Sequence, residues 1–249
     1  MPGTEPSVSG NGAETPSGAA SHRKLSVIVP VFNERNTVAE VVRRMRAVEL
    51  PLEREIVIVD DGSDDGTREV LTQLGDSTVR VVLHGQNRGK GAAVRTGMDA
   101  VTGDLVLIQD ADLEYDPEDW PKLLAPILKG KARVVYGSRF TGERRNMLFF
   151  HWVGNRFLSL VTNVLYNTTL SDMETCYKLF ERGVLDGIKL HAEGFEFEPE
   201  ITAKVLRRRV RIYEVPISYA GREFHEGKKI TWRDGFSAFW TLLKYRFVK

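Results

Sequence analysis

The sequence predicts an α/β fold, a mostly parallel sheet flanked by helices. Three observations lead there. Short apolar runs alternate with segments of helical spacing across residues 25–139. The first run, LSVIVPVF (25–32), is continuously apolar, as suits a strand covered on both faces. Polar and acidic residues follow directly on the runs, where an α/β sheet binds its ligands.

LSVIVPVF (25–32) is the first strand and ends in the turn NER; Thr37 to Ala47 then has helical spacing. EIVIVDDGS (55–63) is the second strand, followed by a helix from about Asp65 to Leu74. VRVVLH (79–84) is the third strand, and NRGKGAAVRTGMDAV leads into a helix. DLVLIQD (104–110) is the fourth strand; Asp116–Leu128 is helical, with Pro117 near its first turn. ARVVYGSR (132–139) is the fifth strand.

Beyond it the pattern is less regular. MLFFHWVGNRFLSLVTNVLY (147–166) carries apolar side chains at 149, 150, 153, 157, 160, 161, 164 and 165, one face of a long helix, interrupted by Gly154-Asn155-Arg156. A C-terminal helix, about 231–246, sets Trp232, Phe236, Phe239, Trp240 and Leu243 on a stripe, with Arg233, Lys244 and Arg246 for the other side. Such faces serve either core packing or a membrane interface.

The chain has 249 residues, 42% apolar, and one cysteine. That length suits one large domain with an appendage. A lone Cys176 forms no intrachain disulfide, fits a reducing compartment and reads as a buried structural thiol. Net charge is +1, but residues 201–249 carry +8 and the rest −7, a basic end that favours phosphate or anionic lipid. Residues 1–22 are rich in Gly, Pro, Ser and Thr, lack a signal-peptide core and read as a disordered tail. The expected organisation is that tail, a main α/β domain over 23–230, and an amphipathic helix over 231–249. No stretch reaches the roughly 18–20 apolar residues of a membrane span.

The chemistry starts at IQDADLEY (108–115), where three carboxylates follow a buried strand. Like charges so placed need a positive partner, either basic side chains or a metal ion. Asp-x-Asp at a strand end offers hard oxygens that suit Mg2+ or Mn2+, which keep positions for water and substrate phosphates. Other motifs are absent. No G-x-G-x-x-G follows the first strand, so a dinucleotide site is unsupported. GQNRGKG (85–91) fails the P-loop spacing but still makes an anion-friendly helix start. No His/Cys cluster points to zinc, and no Ser-His-Asp arrangement is visible.

VPVFNE (29–34), IVDDGSDDGT (58–67), NRGKGAAVRTG (87–97), QDADLEYDPED (109–119) and YGSRF (136–140) occur in this order. Together they resemble the family 2 glycosyltransferases of GT-A, Rossmann-like fold. DMETCYKLF (172–180), EGFEFEPEI (193–201) and EVPISYAGREFHEGKKITWRDG (214–235) look like the dolichyl-phosphate and polyprenyl-phosphate sugar synthases. The resemblance covers about residues 24–235.

It implies an inverting, metal-dependent transfer of a monosaccharide from GDP-mannose, or from a UDP-hexose or UDP-N-acetylhexosamine, to polyprenyl monophosphate. Asp110, Asp112 and Glu114 would hold Mg2+ or Mn2+; Asp110, Asp112 and Arg139 would form the reacting centre. Pro30, Phe32, Glu34, Asp60, Asp61, Lys90, Asp110 and Ala111 would bind the nucleotide. Arg139, Arg156, Arg222, Lys228 and Lys229 would face the acceptor phosphate. The implied location is peripheral, at the cytoplasmic face of a membrane, with a membrane-protein partner or a second copy as further company and no nucleic acid. The alternatives are an enzyme of this fold with a soluble or glycan acceptor, and a non-catalytic sugar-nucleotide-binding module.

Overall fold

The computed structural model describes residues 24–222 and 232–248. The expected tail at 1–22 lies outside the described residues, as do Lys228 and Lys229. Within them the strands are β1 (Lys24–Val31), β2 (Glu53–Asp60), β3 (Val79–Leu83), β4 (Leu105–Ile108), β5 (Val134–Ser138), β6 (Lys178–Glu181) and β7 (Ile212–Pro216). The helices are α1 (Val38–Ala47), α2 (Thr67–Leu74), α3 (Lys90–Ala100), α4 (Trp120–Leu128), α5 (Phe149–Tyr166), α6 (Arg182–Leu185), α7 (Phe197–Arg207) and α8 (Trp232–Phe247).

The strands make one sheet in the order β3-β2-β1-β4-β6-β5-β7. β1 pairs in parallel with β2 and β4, β2 with β3, and β5 with β7. β6 runs antiparallel between β4 and β5. The sheet is therefore mostly parallel, as the sequence predicts. The carboxyl ends of β1, β2, β4 and β5 share one edge, so the loops after them meet there.

The continuous apolar runs are buried on both faces, as in β1, where Leu25, Val27, Ile28, Val29 and Val31 lose almost all contact with solvent. Trp120 of α4 ties the end of β4 to this core. Its Nε1 donates to Gln109 Oε1 at 3.1 Å, and Tyr177 donates to the same oxygen at 2.6 Å. A buried amide oxygen is thus satisfied twice.

Two outcomes differ from the sequence reading. β6 and β7 are strands that the apolar-run pattern does not disclose. α5 runs unbroken through Gly154, whose open surroundings tolerate it; Asn155 turns inward and donates to His151 O at 2.7 Å. The apolar face of α5 points mostly outward. Phe149, Phe150, Val153, Phe157, Leu160 and Val164 are exposed, whereas Leu158 and Thr162 pack inward. α8 divides in the same way. Ala238, Leu242 and Tyr245 are buried against α5 and α7, while Phe236 and Trp240 are exposed. Tyr166 anchors this contact by donating to Leu242 O at 2.7 Å.

Candidate active site

A cavity of about 1340 Å³ opens where these strand ends meet. Pro30, Phe32 and Glu34 reach it from beyond β1, Asp61 from beyond β2, Lys90 from the start of α3, and Asp110, Ala111, Asp112 and Glu114 from beyond β4. Arg139 and Arg222 line it as well. Asp60 and Arg156 are not among its lining residues.

Adjacent aspartates at the end of β2 do different work. Asp60 is fully buried and accepts from Arg68 Nε at 2.7 Å, with Ser63 N at 3.3 Å. Asp61 turns to the 85–91 loop. It accepts from Gly89 N at 2.7 Å and Arg88 N at 3.0 Å, and His84 Nδ1 lies 2.7 Å away. Gly89 has φ +91°, and a side chain there would strike the Glu193 carbonyl. The loop therefore needs both its glycine and the Asp61 anchor to present Lys90.

Lys90 Nζ sits 2.9 Å from Asp110 Oδ1 and 2.8 Å from Glu198 Oε1. Burial works against its charge, but the two carboxylates outweigh burial and hold its pKa well above the ordinary lysine value. Arg222 serves the other side of the acidic group. Its Nη2 is 2.9 Å from Asp112 and 3.2 Å from Glu34, and its backbone N–H donates to Glu114 at 2.9 Å. Glu114 also accepts from Tyr219 Oη at 2.7 Å. Burial, then the charges of Asp110 and Glu114, push the Asp112 carboxyl up to about 7 against the Arg222 guanidinium. Basic side chains thus balance the three carboxylates only in part. Leu113, between two of them, has φ 62°, a left-handed conformation costly for a residue with a side chain. Asp112 Oδ1 braces the turn by accepting from Glu114 N at 3.1 Å.

Arg139 is clamped. Its Nε and Nη2 each lie 2.7 Å from Asp172, and Nη2 also donates to Asn155 at 3.0 Å. Its guanidinium lies over the Tyr219 ring at 5.3 Å. Burial opposes its charge, and Asp172 more than restores it. Arg156 is exposed, stacks on Phe140 at 5.6 Å and donates to Ser171 O. Cys176 is buried beside the cavity, and burial, with Asp110 next, pushes its thiol well above the ordinary range. A thiol so buried suits a structural place in the cavity wall.

Sequence reasoning did not single out Glu198, Glu174, Asp172 or Lys178 by role. The signal for Glu198 was present in EGFEFEPE, where acidic residues interrupt an apolar stretch that becomes buried helix. Among the described residues no set of three His, Cys, Asp or Glu side chains converges as a preformed metal cluster.

Residues 26–188 match the family described as Glycosyl transferase family 2. The chain is similar to undecaprenyl-phosphate 4-deoxy-4-formamido-L-arabinose transferases. It is 32% identical over 215 residues to the one from Salmonella paratyphi A and 31% identical over 215 residues to the one from Salmonella choleraesuis. Each match covers 84% of this chain and 64% of the relative, so the chain spans less than two thirds of those proteins. Among solved structures it is similar to glucosyl-3-phosphoglycerate synthase from Mycobacterium tuberculosis. The complex with Mn2+, UDP and glucosyl-3-phosphoglycerate superposes with TM-score 0.71 at 22% identity, over 91% of this chain and 81% of that one. The complex with Mg2+ and UDP gives 0.70 at 22%, over 91% and 80%. These likenesses establish a shared GT-A fold.

Proposed function

The chain belongs to glycosyl transferase family 2, and we propose that it moves one monosaccharide from a nucleotide sugar to polyprenyl monophosphate, inverting the anomeric carbon. The donor is a GDP- or UDP-linked hexose or N-acetylhexosamine. The observation that carries this reading is the mixed lining of the cavity. Asp61, Lys90, Asp110 and Asp112 line it together with Leu148, Phe150 and Phe157 at and after the start of α5 and Phe236 and Phe239 of α8. A charged pocket that opens onto exposed aromatics suits a phosphate carried on a lipid. The transferases similar in sequence are named for undecaprenyl phosphate, which supports the same acceptor.

The carboxylates after β4 fit a divalent cation, Mg2+ or Mn2+. Their negative charge is only partly balanced, as the raised Asp112 shows, and their oxygens are hard donors. Asp112 and Asp110 would hold the ion, with Glu114 as third neighbour. When bound, the ion supplies positive charge against the departing diphosphate. The chain's own residues do the rest. The loop held by Asp61 sets Lys90 beside Asp110, next to the diphosphate. Pro30, Phe32 and Glu34 shape the nucleoside side. The acceptor needs no strong base, because a phosphate monoester loses its second proton near pH ~6. It needs cations that lower the repulsion between two anions. Arg139, fixed by Asp172 at the cavity wall, offers one.

Among the described residues no helix is long and apolar enough to cross a membrane. The exposed faces of α5 and α8 and the basic end of the chain dock it peripherally, at the cytoplasmic face. The test is transfer of labelled sugar from a nucleotide sugar into a lipid extract containing undecaprenyl phosphate. Label in the lipid phase with the wild type, and none with Asp112→Ala, supports the reading. Equal labelling by both removes Asp112 from the chemistry.

A further inference from the structure

Asp61 bonds both ends of the loop that leads from β3 to α3. At the entry, His84 Nδ1 lies 2.7 Å from Asp61 Oδ1. At the exit, Gly89 N donates to Oδ2 at 2.7 Å, and Arg88 N is shared between the two oxygens at 3.0 and 3.1 Å. Both carboxylate oxygens are thus taken by the chain itself. Asp61 is 2% exposed and His84 7%. A carboxylate so buried needs its donors, because each one lost leaves an uncompensated desolvation cost.

The histidine is itself fixed. Its backbone N–H donates to Asp60 O at 2.8 Å, just past the paired stretch of β2 and β3. A carboxylate only accepts, so Nδ1 carries the hydrogen; in the neutral ring Nε2 then accepts from the Thr96 hydroxyl of α3, 2.9 Å away. The ring therefore joins three parts: the end of β2, the start of the loop, and the helix that opens with Lys90. The loop is also seated closely. Gly62, next to Asp61, has φ +80°, and a side chain there would strike the Gln86 and Asn87 main chain.

We infer that His84 is a positioning residue for nucleotide binding: its ring holds Asp61, and through Asp61 the loop that presents Lys90. This rests on the nucleotide-sugar reading above. Without the Nδ1 hydrogen, Asp61 Oδ1 keeps only the shared bond from Arg88, and the entry of the loop is no longer tied to its exit. Lys90 keeps Asp110 and Glu198, but the main chain beneath it gains freedom. A nucleotide then has to order the loop as it binds, and that cost appears as lost affinity.

The test is calorimetric titration of the full chain by UDP and GDP, with Mn2+ present, for the wild type, His84→Asn and His84→Gln, alongside thermal unfolding. An asparagine amide puts an N–H where Nδ1 stands and gives up Thr96. A glutamine amide reaches toward the place of Nε2 and leaves Asp61 Oδ1 without its donor. His84→Asn should hold the bound diphosphate within about threefold of the wild type. His84→Gln should weaken it about tenfold, the loss of one hydrogen bond to a charged group. Both should fold and unfold at similar temperatures. Equal affinities in the two variants, a larger loss in His84→Asn, or a His84→Gln chain that does not fold would each overturn the positioning role, since a merely structural histidine gives no such preference. Failure of the wild type to bind either diphosphate overturns the nucleotide-sugar reading itself, and the role of His84 with it.

Discussion

Arg222 Nη2 stands 2.9 Å from Asp112 Oδ2, and the same guanidinium nitrogen reaches Glu34 at 3.2 Å. One arginine thus ties the turn after β4 to the turn after β1. Burial disfavours its charge, but Asp112 and then Glu34 raise its pKa above the ordinary arginine value. The negative edge of the cavity is held together by a side chain that a bound cation could relieve.

Arg222→Gln should therefore leave three carboxylates with less compensation. Breaking a fully buried pair costs roughly 3–5 kcal/mol, and this one keeps some solvent access, so about 2 kcal/mol is expected. For a chain of this size that is about 4–8 °C in unfolding temperature. Thermal scans with and without Mn2+ check it: the ion should restore more of the lost stability in the variant than it adds to the wild type.

The adjacent Asp60 and Asp61 should separate cleanly. Asp61→Asn turns an amide donor toward the N–H groups of Arg88 and Gly89, so it should cost about 1–3 kcal/mol and weaken nucleotide binding about tenfold. Asp60→Asn loses the Arg68 pair and should lower stability while leaving nucleotide affinity within twofold. Titration with nucleoside diphosphate alongside thermal unfolding distinguishes the two.

The outward aromatics should govern membrane contact. Phe150 is 84% exposed and Trp240 61% exposed. Burying one such side chain is worth about 1.5–3 kcal/mol. Phe150→Asp and Trp240→Asp should each weaken binding to anionic vesicles roughly tenfold or more, with unchanged unfolding temperature. Flotation assays check the first part and calorimetry the second.

Glu174 makes a pH prediction. Its folded pKa is about 8, raised by burial and then by Glu198, against an ordinary value of 4.5. Between those values the folded chain keeps a proton that the unfolded chain has lost, so stability falls as pH rises, with the full cost above about pH 8. Glu198, Lys178, Arg139 and Asp172 also face this group, and burial lowers the Lys178 pKa, which adds its own slope. Comparing wild type with Glu174→Gln isolates the glutamate. The variant's advantage in unfolding temperature should grow from pH 5 to pH 8.5.

The first five strands were legible because each carries a short apolar run closed by polar residues. β6 was hidden because Lys178 opens it; that ammonium is buried by donating to the Met173 and Thr175 carbonyls and by lying over the Tyr136 ring, near Glu198 and Glu174. β7 was hidden because Glu214 and Pro216 break its apolar pattern. The amphipathic face of α5 was legible as a face, but periodicity alone does not say whether the core or the surroundings receive it. The strand-end carboxylates were legible by position. Their partners were not, since Lys90 meets Glu198, and Arg139 meets Asp172, only through packing of segments distant in sequence. Asp60 closes β2 and is held by Arg68, whereas Asp61 stands just beyond the strand and accepts from the Arg88 and Gly89 N–H groups. Which of them faces the ligand edge depends on register, which a doubled aspartate does not reveal.

The most direct measurement is release of nucleoside diphosphate from a panel of GDP- and UDP-sugars, with Mg2+ or Mn2+, with and without polyprenyl phosphate. Release from one donor that requires both the ion and the lipid phosphate is the expected result. Release at the same rate without the lipid phosphate, or from none of the donors, would contradict transfer to a lipid acceptor.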